Sequence, residues 1–338
     1  MKNRFVSFDF SEKTLKSLLE DPLIADVSKD AIRNMDLSKE EYYNRTLKEI
    51  ADEPGWKNPG QGLERLFEIA SRGKYCYRLY EKDECTGDEQ KESVSITYFP
   101  SDDKAAGERP FIFLIPGGGL VNVWNLTEGW PIARIFNEMG YDSFILTYQV
   151  DVPGAAIKDM EDISRAFRII NDRKEEFGVD PGKYITCGFS AGGYVAGLWN
   201  TDKGYGAYNI AKPVASILVY PVTSYRILQA EDWTEEELDK EEFAMDTVGC
   251  SMEEACNSSF EIPEHAEGFP PTAIFVTDGD ETVDPDHSKN LAKAITQAGI
   301  PCRLEVKPGG WHGFSDGKGM CMEGWPERAI EWISNLSY

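Results

Sequence analysis

Phe111-Ile112-Phe113-Leu114-Ile115 is an unbroken run of large apolar residues. A strand with one face in water alternates apolar and polar residues, so a continuous run reads as a strand covered on both faces. Further strands are read at 143–147, 184–187, 216–220 and 273–277, and Arg303-Leu304-Glu305-Val306 is read as the last strand. Helical stretches lie among them, at 132–139, 157–177, 288–298 and 326–336, and Gly178 with Asp180-Pro181-Gly182 closes the longest. Strands separated by helices predict an α/β fold, a mostly parallel sheet with helices on both faces. Val94-Ser95-Ile96-Thr97-Tyr98 has a different texture and alternates as an exposed strand would.

One junction carries chemistry. The 184–187 run leads into Gly188-Phe189-Ser190-Ala191-Gly192-Gly193, followed by a helical stretch at 194–199. This is a G-x-S-x-G pattern between strand and helix, where a sharp turn lifts a serine hydroxyl clear of the sheet. Glycines on either side let neighbouring backbone approach with no Cβ in the way. The following helix aims the positive end of its dipole at the place where negative charge would gather. Ser190 is the candidate nucleophile.

A serine hydroxyl is a weak nucleophile at neutral pH. It needs a general base, and the base needs an orienting carboxylate. The chain has three histidines, His265, His287 and His312. His312 lies in Pro308-Gly309-Gly310-Trp311-His312-Gly313-Phe314, directly after the last strand, and in Ser…Asp…His chain order the base comes last. His287, at the start of a helix, reads as a capping or surface residue. The carboxylate is expected in Asp278-Gly279-Asp280-Glu281-Thr282-Val283-Asp284-Pro285-Asp286, the loop after the 273–277 strand. Five acids in one loop describe a solvated turn, with at most one in the chemistry. Distance from the strand end favours the early positions, so Asp280 is the first candidate, then Glu281, then Asp284. A tetrahedral intermediate needs fixed N–H donors for its oxyanion, each worth about 2.7–4 kcal/mol in the transition state. Ala191 supplies one, and Pro116-Gly117-Gly118-Gly119-Leu120 supplies the rest, with Gly118 and Gly119 as candidate donors. This chemistry calls for no metal and no cofactor.

The totals narrow the partners. Thirty-five basic residues stand against 59 acidic ones, a net charge of −24. Such a surface repels phosphate backbones and anionic lipid, so no nucleic-acid or membrane partner is expected, and a small neutral substrate is. No run approaches membrane-spanning length, and no apolar signal-peptide core follows Met1-Lys2-Asn3-Arg4. Seven scattered cysteines without a C-x-x-C pair predict reduced thiols and a cytoplasmic protein.

Taken together, these motifs resemble the α/β-hydrolase family, in its esterase/lipase branch. The resemblance runs from about Ser93 to Leu336. Within the branch the chain is similar to small bacterial carbohydrate acetyl esterases and acetylxylan-esterase-like hydrolases. Pro116-Gly117-Gly118-Gly119, Gly188-Phe189-Ser190-Ala191-Gly192-Gly193, Pro270-Pro271-Thr272, Gly279-Asp280 through His287-Ser288, and Gly310-Trp311-His312-Gly313-Phe314 carry it. The resemblance implies cleavage of short-chain carboxylic esters, such as acetyl esters of carbohydrates, through an acyl-enzyme. It also implies that the acid lies eight residues before Ser288, at Asp280. Pro116 departs from the histidine of many relatives. Asp284 stands where the group often has proline, which keeps Glu281 open as the acid. A serine peptidase or amidase on the same fold, and a non-catalytic binding protein on a hydrolase scaffold, are the competing expectations.

Two regions lie outside the motif frame. Residues 1–90 read as a helical extension, for packing, oligomer contact or a lid, with serine-opened helices at Ser11 and at Ser38, the second having a capping-box glutamate at Glu41. Residues 51–60 read as a breaker-rich linker. A homo-oligomer is one expected use of the extension. The catalytic domain is expected over 91–338, with a cap-like insertion at about 221–271 that includes an acidic helical patch at 234–239. Asn122, Trp124 and Trp311 are candidate substrate contacts, placed in or near the two glycine loops.

Overall fold

A computed structural model describes residues 10–28, 43–51, 59–103, 105–230 and 239–336. Its centre is an eight-stranded sheet: β1 (Cys76–Arg78), β2 (Ser95–Phe99), β3 (Phe111–Ile115), β4 (Ser143–Thr147), β5 (Tyr184–Phe189), β6 (Ala215–Val219), β7 (Thr272–Thr277) and β8 (Cys302–Lys307). The strand order is β1-β2-β4-β3-β5-β6-β7-β8. β1 and β2 pair antiparallel, as do β2 and β4, and the remaining pairs are parallel. Every residue of β3, β4, β5, β6 and β7 is buried, so the unbroken apolar runs do mark strands covered on both faces. Each large apolar side chain fully buried there stabilises the fold by about 1.5–3 kcal/mol.

The crossovers are helical. They include α4 (Trp130–Glu138), α5 (Ala155–Asp172), α6 (Ser190–Trp199), α9 (Asp286–Gln297) and α10 (Trp325–Ser334). The expected 157–177 helix breaks at Arg173 (φ −116°), and a separate turn, Lys174–Phe177, ends at left-handed Gly178. One core holds Phe113, Phe144, Phe167, Tyr184 and Trp199 with α5 and α6. The other holds Ile112, Leu114, Phe189 and Phe275 with Trp130, Phe136 and Trp325.

The first ninety residues depart from an all-helical reading. They contain α1 (Leu15–Leu19), α2 (Leu47–Ile50) and α3 (Pro59–Arg72), but also β1, which pairs with β2 from Cys76↔Thr97 to Arg78↔Ser95. The first helix is capped by Thr14, whose side chain accepts the Ser17 N–H, rather than by Ser11. A capping box forms between Thr46 and Glu49; the one expected at Ser38 and Glu41 lies outside the described residues. Pro59 and Gly60, read as linker, open α3, and 52–58 are outside the described residues. Leu15, Leu18, Leu66 and Phe67 enter the same core as Trp130 and Phe136, so these segments cover one face of the sheet. A Cβ on Gly62 would meet the Pro131 nitrogen at 2.6 Å, which measures how closely α3 lies on α4.

β2 is buried almost throughout, against the exposed strand expected from its alternation. Ile96 enters one core and Phe99 the other, so both faces of β2 are covered, and Ser95 and Thr97 are small enough to be enclosed. Between β6 and β7 the chain makes α7 (Tyr225–Ala230) and α8 (Lys240–Val248), while 231–238, most of the acidic patch, lies outside the described residues. Among the described residues no helix is long and apolar enough to cross a membrane.

Candidate active site

β5 ends at Phe189, and Ser190 opens α6 with φ +50°, a left-handed conformation that a residue with a Cβ takes up only under constraint. The constraint is local packing. A Cβ on Gly192 would lie 2.2 Å from the Pro116 carbonyl oxygen and 2.3 Å from that of Ile115. The first turn of α6 therefore lies directly on the backbone leaving β3. Gly192→Ala is expected to destabilise the fold by about 1–3 kcal/mol, because neither backbone can give way. A thermal melt several degrees below that of the parent checks this.

The Ser190 hydroxyl donates to His312 Nε2 at 2.8 Å, and His312 Nδ1 lies 2.8 Å from Asp280 Oδ2. An ionised carboxylate only accepts, so Nδ1 carries the proton and Nε2 keeps the lone pair that faces the serine. Asp280 is buried, and its other oxygen accepts the N–H groups of Thr282 (3.0 Å) and Val283 (2.9 Å). The two loops are joined behind this contact. Asp278 accepts the Gly309 N–H at 2.6 Å, and Gly279 N–H donates to the Gly309 carbonyl. Of the five acids, Asp280 faces His312, whereas Glu281 and Asp284 are exposed.

The glycine loop approaches Ser190 from β3. Gly118 has φ +133°, and a Cβ there would fall 2.2 Å from the Asn122 carbonyl oxygen, so no other residue fits. Among the described residues nothing accepts the Gly118 or Gly119 N–H. The Gly117 N–H is already taken, at 2.7 Å, by Glu128. With Ala191 at the start of α6, these amides can serve an anionic oxygen beside Ser190.

A cavity of about 660 Å³ opens next to Ser190. Gly119, Leu120 and Ala191 line it beside Tyr194. The insertion contributes Val222, Tyr225, Leu228, Phe243 and Thr247, and the acid loop contributes 280–285. The wall is thus largely apolar, with Glu281 and Asp284 on its rim. No described residue of the first ninety lines it. Neither do Asn122, Trp124 and Trp311. Asn122 is buried, with its side-chain oxygen on the Val123 N–H; Trp124 is half-buried; Trp311 is exposed.

Sequence reasoning missed three groups here. Glu128 is fully buried and also accepts the Tyr220 hydroxyl at 2.8 Å; burial pushes its carboxyl above the usual range, opposed by these two donors. Tyr220 (φ +40°) packs its ring 4.7 Å from that of His312. His287 is not at the surface. It is fully buried, and its Nδ1 accepts the Thr223 and Ser224 N–H groups, holding the start of the insertion. An acid in the mostly apolar stretch just after the glycine loop was the available signal for Glu128. Among the described residues no group of three or more His, Cys, Asp or Glu side chains could hold a metal ion.

Residues 155–316 match a family with the alpha/beta hydrolase fold. The endo-1,4-beta-xylanase B of Butyrivibrio fibrisolvens is 28% identical over 243 residues, covering 68% of this chain and 36% of that protein. The acetylxylan esterase of Xylanibacter ruminicola is 26% identical over 205 residues, covering 60% of this chain and 40% of that protein. The chain thus spans well under half the length of these curated relatives. A propionate-bound thermophilic esterase from the Planctomycetes species Thermogutta terrifontis superposes with a TM-score of 0.60 at 24% identity, over 78% of this chain and 94% of that one. Strand order, the turn at Ser190 and these similarities show that the chain has the α/β-hydrolase fold.

Proposed function

We propose that the protein is a serine hydrolase that cleaves short-chain carboxylic esters through an acyl-enzyme. The observation that carries this reading is the continuous hydrogen-bonded chain from Ser190 through His312 to Asp280. Ser190 Oγ attacks the ester carbonyl as its proton passes to His312 Nε2. The carbonyl oxygen becomes an oxyanion held by the N–H groups of Gly118, Gly119 and Ala191. The tetrahedral intermediate collapses, the C–O bond to the alcohol breaks, and His312 returns the proton to the departing oxygen. Water then gives a proton to His312 and attacks the acyl carbonyl; the bond to Ser190 Oγ breaks, His312 returns its proton to Oγ, and the carboxylic acid leaves. Asp280 holds the tautomer and steadies the imidazolium formed in each step.

The alcohol part we assign to small neutral molecules, with acetylated carbohydrates first among them. The name of the Xylanibacter relative supports this class. So does the wall of Tyr194, Tyr225 and Phe243, since aromatic faces accept sugar rings. Reduced cysteines and the net charge of −24 favour a cytoplasmic protein with no nucleic-acid or membrane partner.

A panel of acetylated sugars, feruloyl esters and simple aryl esters tests the reading. Turnover of an acetyl ester, with a fluorophosphonate label on Ser190, is the expected result; no turnover and no label would overturn it. The rim adds a prediction. Glu281 and Asp284 should disfavour anionic substrates, so an aryl succinate should react on the order of tenfold more slowly than the acetate at low salt. The gap should narrow as salt screens the rim. Equal kcat/KM values at low ionic strength would show that the rim does not face the substrate.

A further inference from the structure

Glu128 belongs to a π-helical turn, Asn125–Gly129, that links the glycine loop to α4. Such turns carry one residue more than a helix allows and re-aim side chains. Here the turn is pinned at several points. Asn125 donates to Thr147 at the end of β4 (2.9 Å), and the Trp124 carbonyl accepts from the N–H of Thr127 (3.2 Å) and of Glu128 (2.8 Å). The Ser315 hydroxyl, from the loop that carries His312, donates to the Thr127 carbonyl.

The carboxylate of Glu128 then receives two donors from opposite sides. Gly117 N–H reaches Oε2 at 2.7 Å, and the Tyr220 hydroxyl reaches Oε1 at 2.8 Å. Gly117 is held between this carboxylate and the serine, since a Cβ on it would lie 2.9 Å from Oε2 and 2.9 Å from Ser190 Cβ. Tyr220 in turn packs on His312 and, edge-on at 4.6 Å, on Phe314, while the Ser315 backbone faces its oxygen. Among the described residues no lysine or arginine pairs with Glu128. A buried carboxylate without a cation is costly, and a hydrophobic residue would fill the space more cheaply. What the carboxylate alone supplies is an acceptor at both ends, which the two converging donors require.

We propose that Glu128 is a positioning residue for this site: it fixes the glycine loop through Gly117 and the His312 loop through Tyr220, setting the Gly118 and Gly119 amides in register with Ser190. The inference rests on the esterase reading. It assigns Glu128 no contact with the substrate, and an effect on the transition state rather than on binding.

Glu128→Ala and Glu128→Gln test it, assayed on an aryl acetate and on its thiono analogue. Sulfur accepts hydrogen bonds poorly, so the oxo-to-thiono rate ratio reports the quality of the oxyanion donors. In Glu128→Ala, kcat on the acetate should fall about 100-fold, within the range for loss of an oxyanion contact, with KM changed by less than about threefold. The oxo-to-thiono ratio should fall with it. Glu128→Gln retains an oxygen for Gly117 and should recover about tenfold of that loss, which keeps the test open if the alanine variant does not fold. Activity that tracks only the folded fraction, with an unchanged ratio in the glutamine variant, overturns the inference and leaves the esterase reading standing. A wild-type protein that neither turns over esters nor labels at Ser190 overturns both.

Discussion

Ser190→Ala is expected to lower ester turnover by about 10⁵–10⁶-fold, the scale seen when the nucleophile of a serine hydrolase is removed. The substitution deletes one oxygen, the atom that donates to His312 at 2.8 Å. It leaves the β5–α6 turn and the cavity wall in place. Stability should change little, because one hydrogen bond contributes about 1 kcal/mol net. Ser190→Gly separates backbone from chemistry. At φ +50° a Cβ is strained, by about 1–2 kcal/mol. The glycine variant should therefore melt above the alanine variant while being equally inactive. Steady-state turnover and thermal melts of the two proteins check both statements. Alanine-variant activity within tenfold of the parent would remove Ser190 from the mechanism and the acyl-enzyme with it.

The parts of the site that were legible are those set by chain order. In a parallel sheet with helical crossovers, each strand's carboxyl end lies on one side, so the residue just after each strand faces the same crevice. Ser190 after β5 and His312 after β8 stand where motif and chain order put them, while the same rule narrowed the acid after β7 only to Asp280, Glu281 and Asp284. The Ile115–Gly119 glycine loop followed from the same rule. What escaped lies off that rule. Glu128 follows its strand by a long loop and a turn with an extra residue, and an isolated acid looks like a surface residue until a glycine N–H is seen on it. His287 sits in a helix start, where capping is the ordinary use of a polar side chain. Its burial depends on the insertion folding back over it, through the Thr223 and Ser224 amides. β1 is three residues long, too short for a periodic signal, and it is defined only by pairing with β2. The cavity wall was illegible for a related reason. Tyr225 and Phe243 come together only when α7 and α8 of the insertion pack, and no spacing in the sequence sets that meeting.

The five-acid loop offers the second large effect, and tautomers decide it. Asp280→Asn is expected to reduce kcat by about 10⁴-fold, whereas Glu281→Gln should stay close to the parent on a neutral ester. Asp280 is an acceptor in every direction: one oxygen takes the Thr282 and Val283 N–H groups, the other faces His312 Nδ1. An asparagine has one oxygen for these tasks. If the oxygen stays on the two backbone donors, its NH₂ points at His312 and requires Nδ1 to be the acceptor. The ring proton then sits on Nε2, where the Ser190 proton must go, and the base is lost. If the amide turns round, its NH₂ faces two backbone N–H groups, a buried clash that costs more than one hydrogen bond. The first arrangement should win, giving a folded protein with a misprotonated histidine. Glu281 is exposed at the cavity rim, so its charge is felt by an anionic substrate and hardly at all by His312. Parallel kcat/KM measurements on the two variants, with an aryl acetate and an aryl succinate, decide the matter. A large loss in Glu281→Gln, with Asp280→Asn active on the acetate, would move the acid one residue along and require the loop to rearrange before substrate is cleaved.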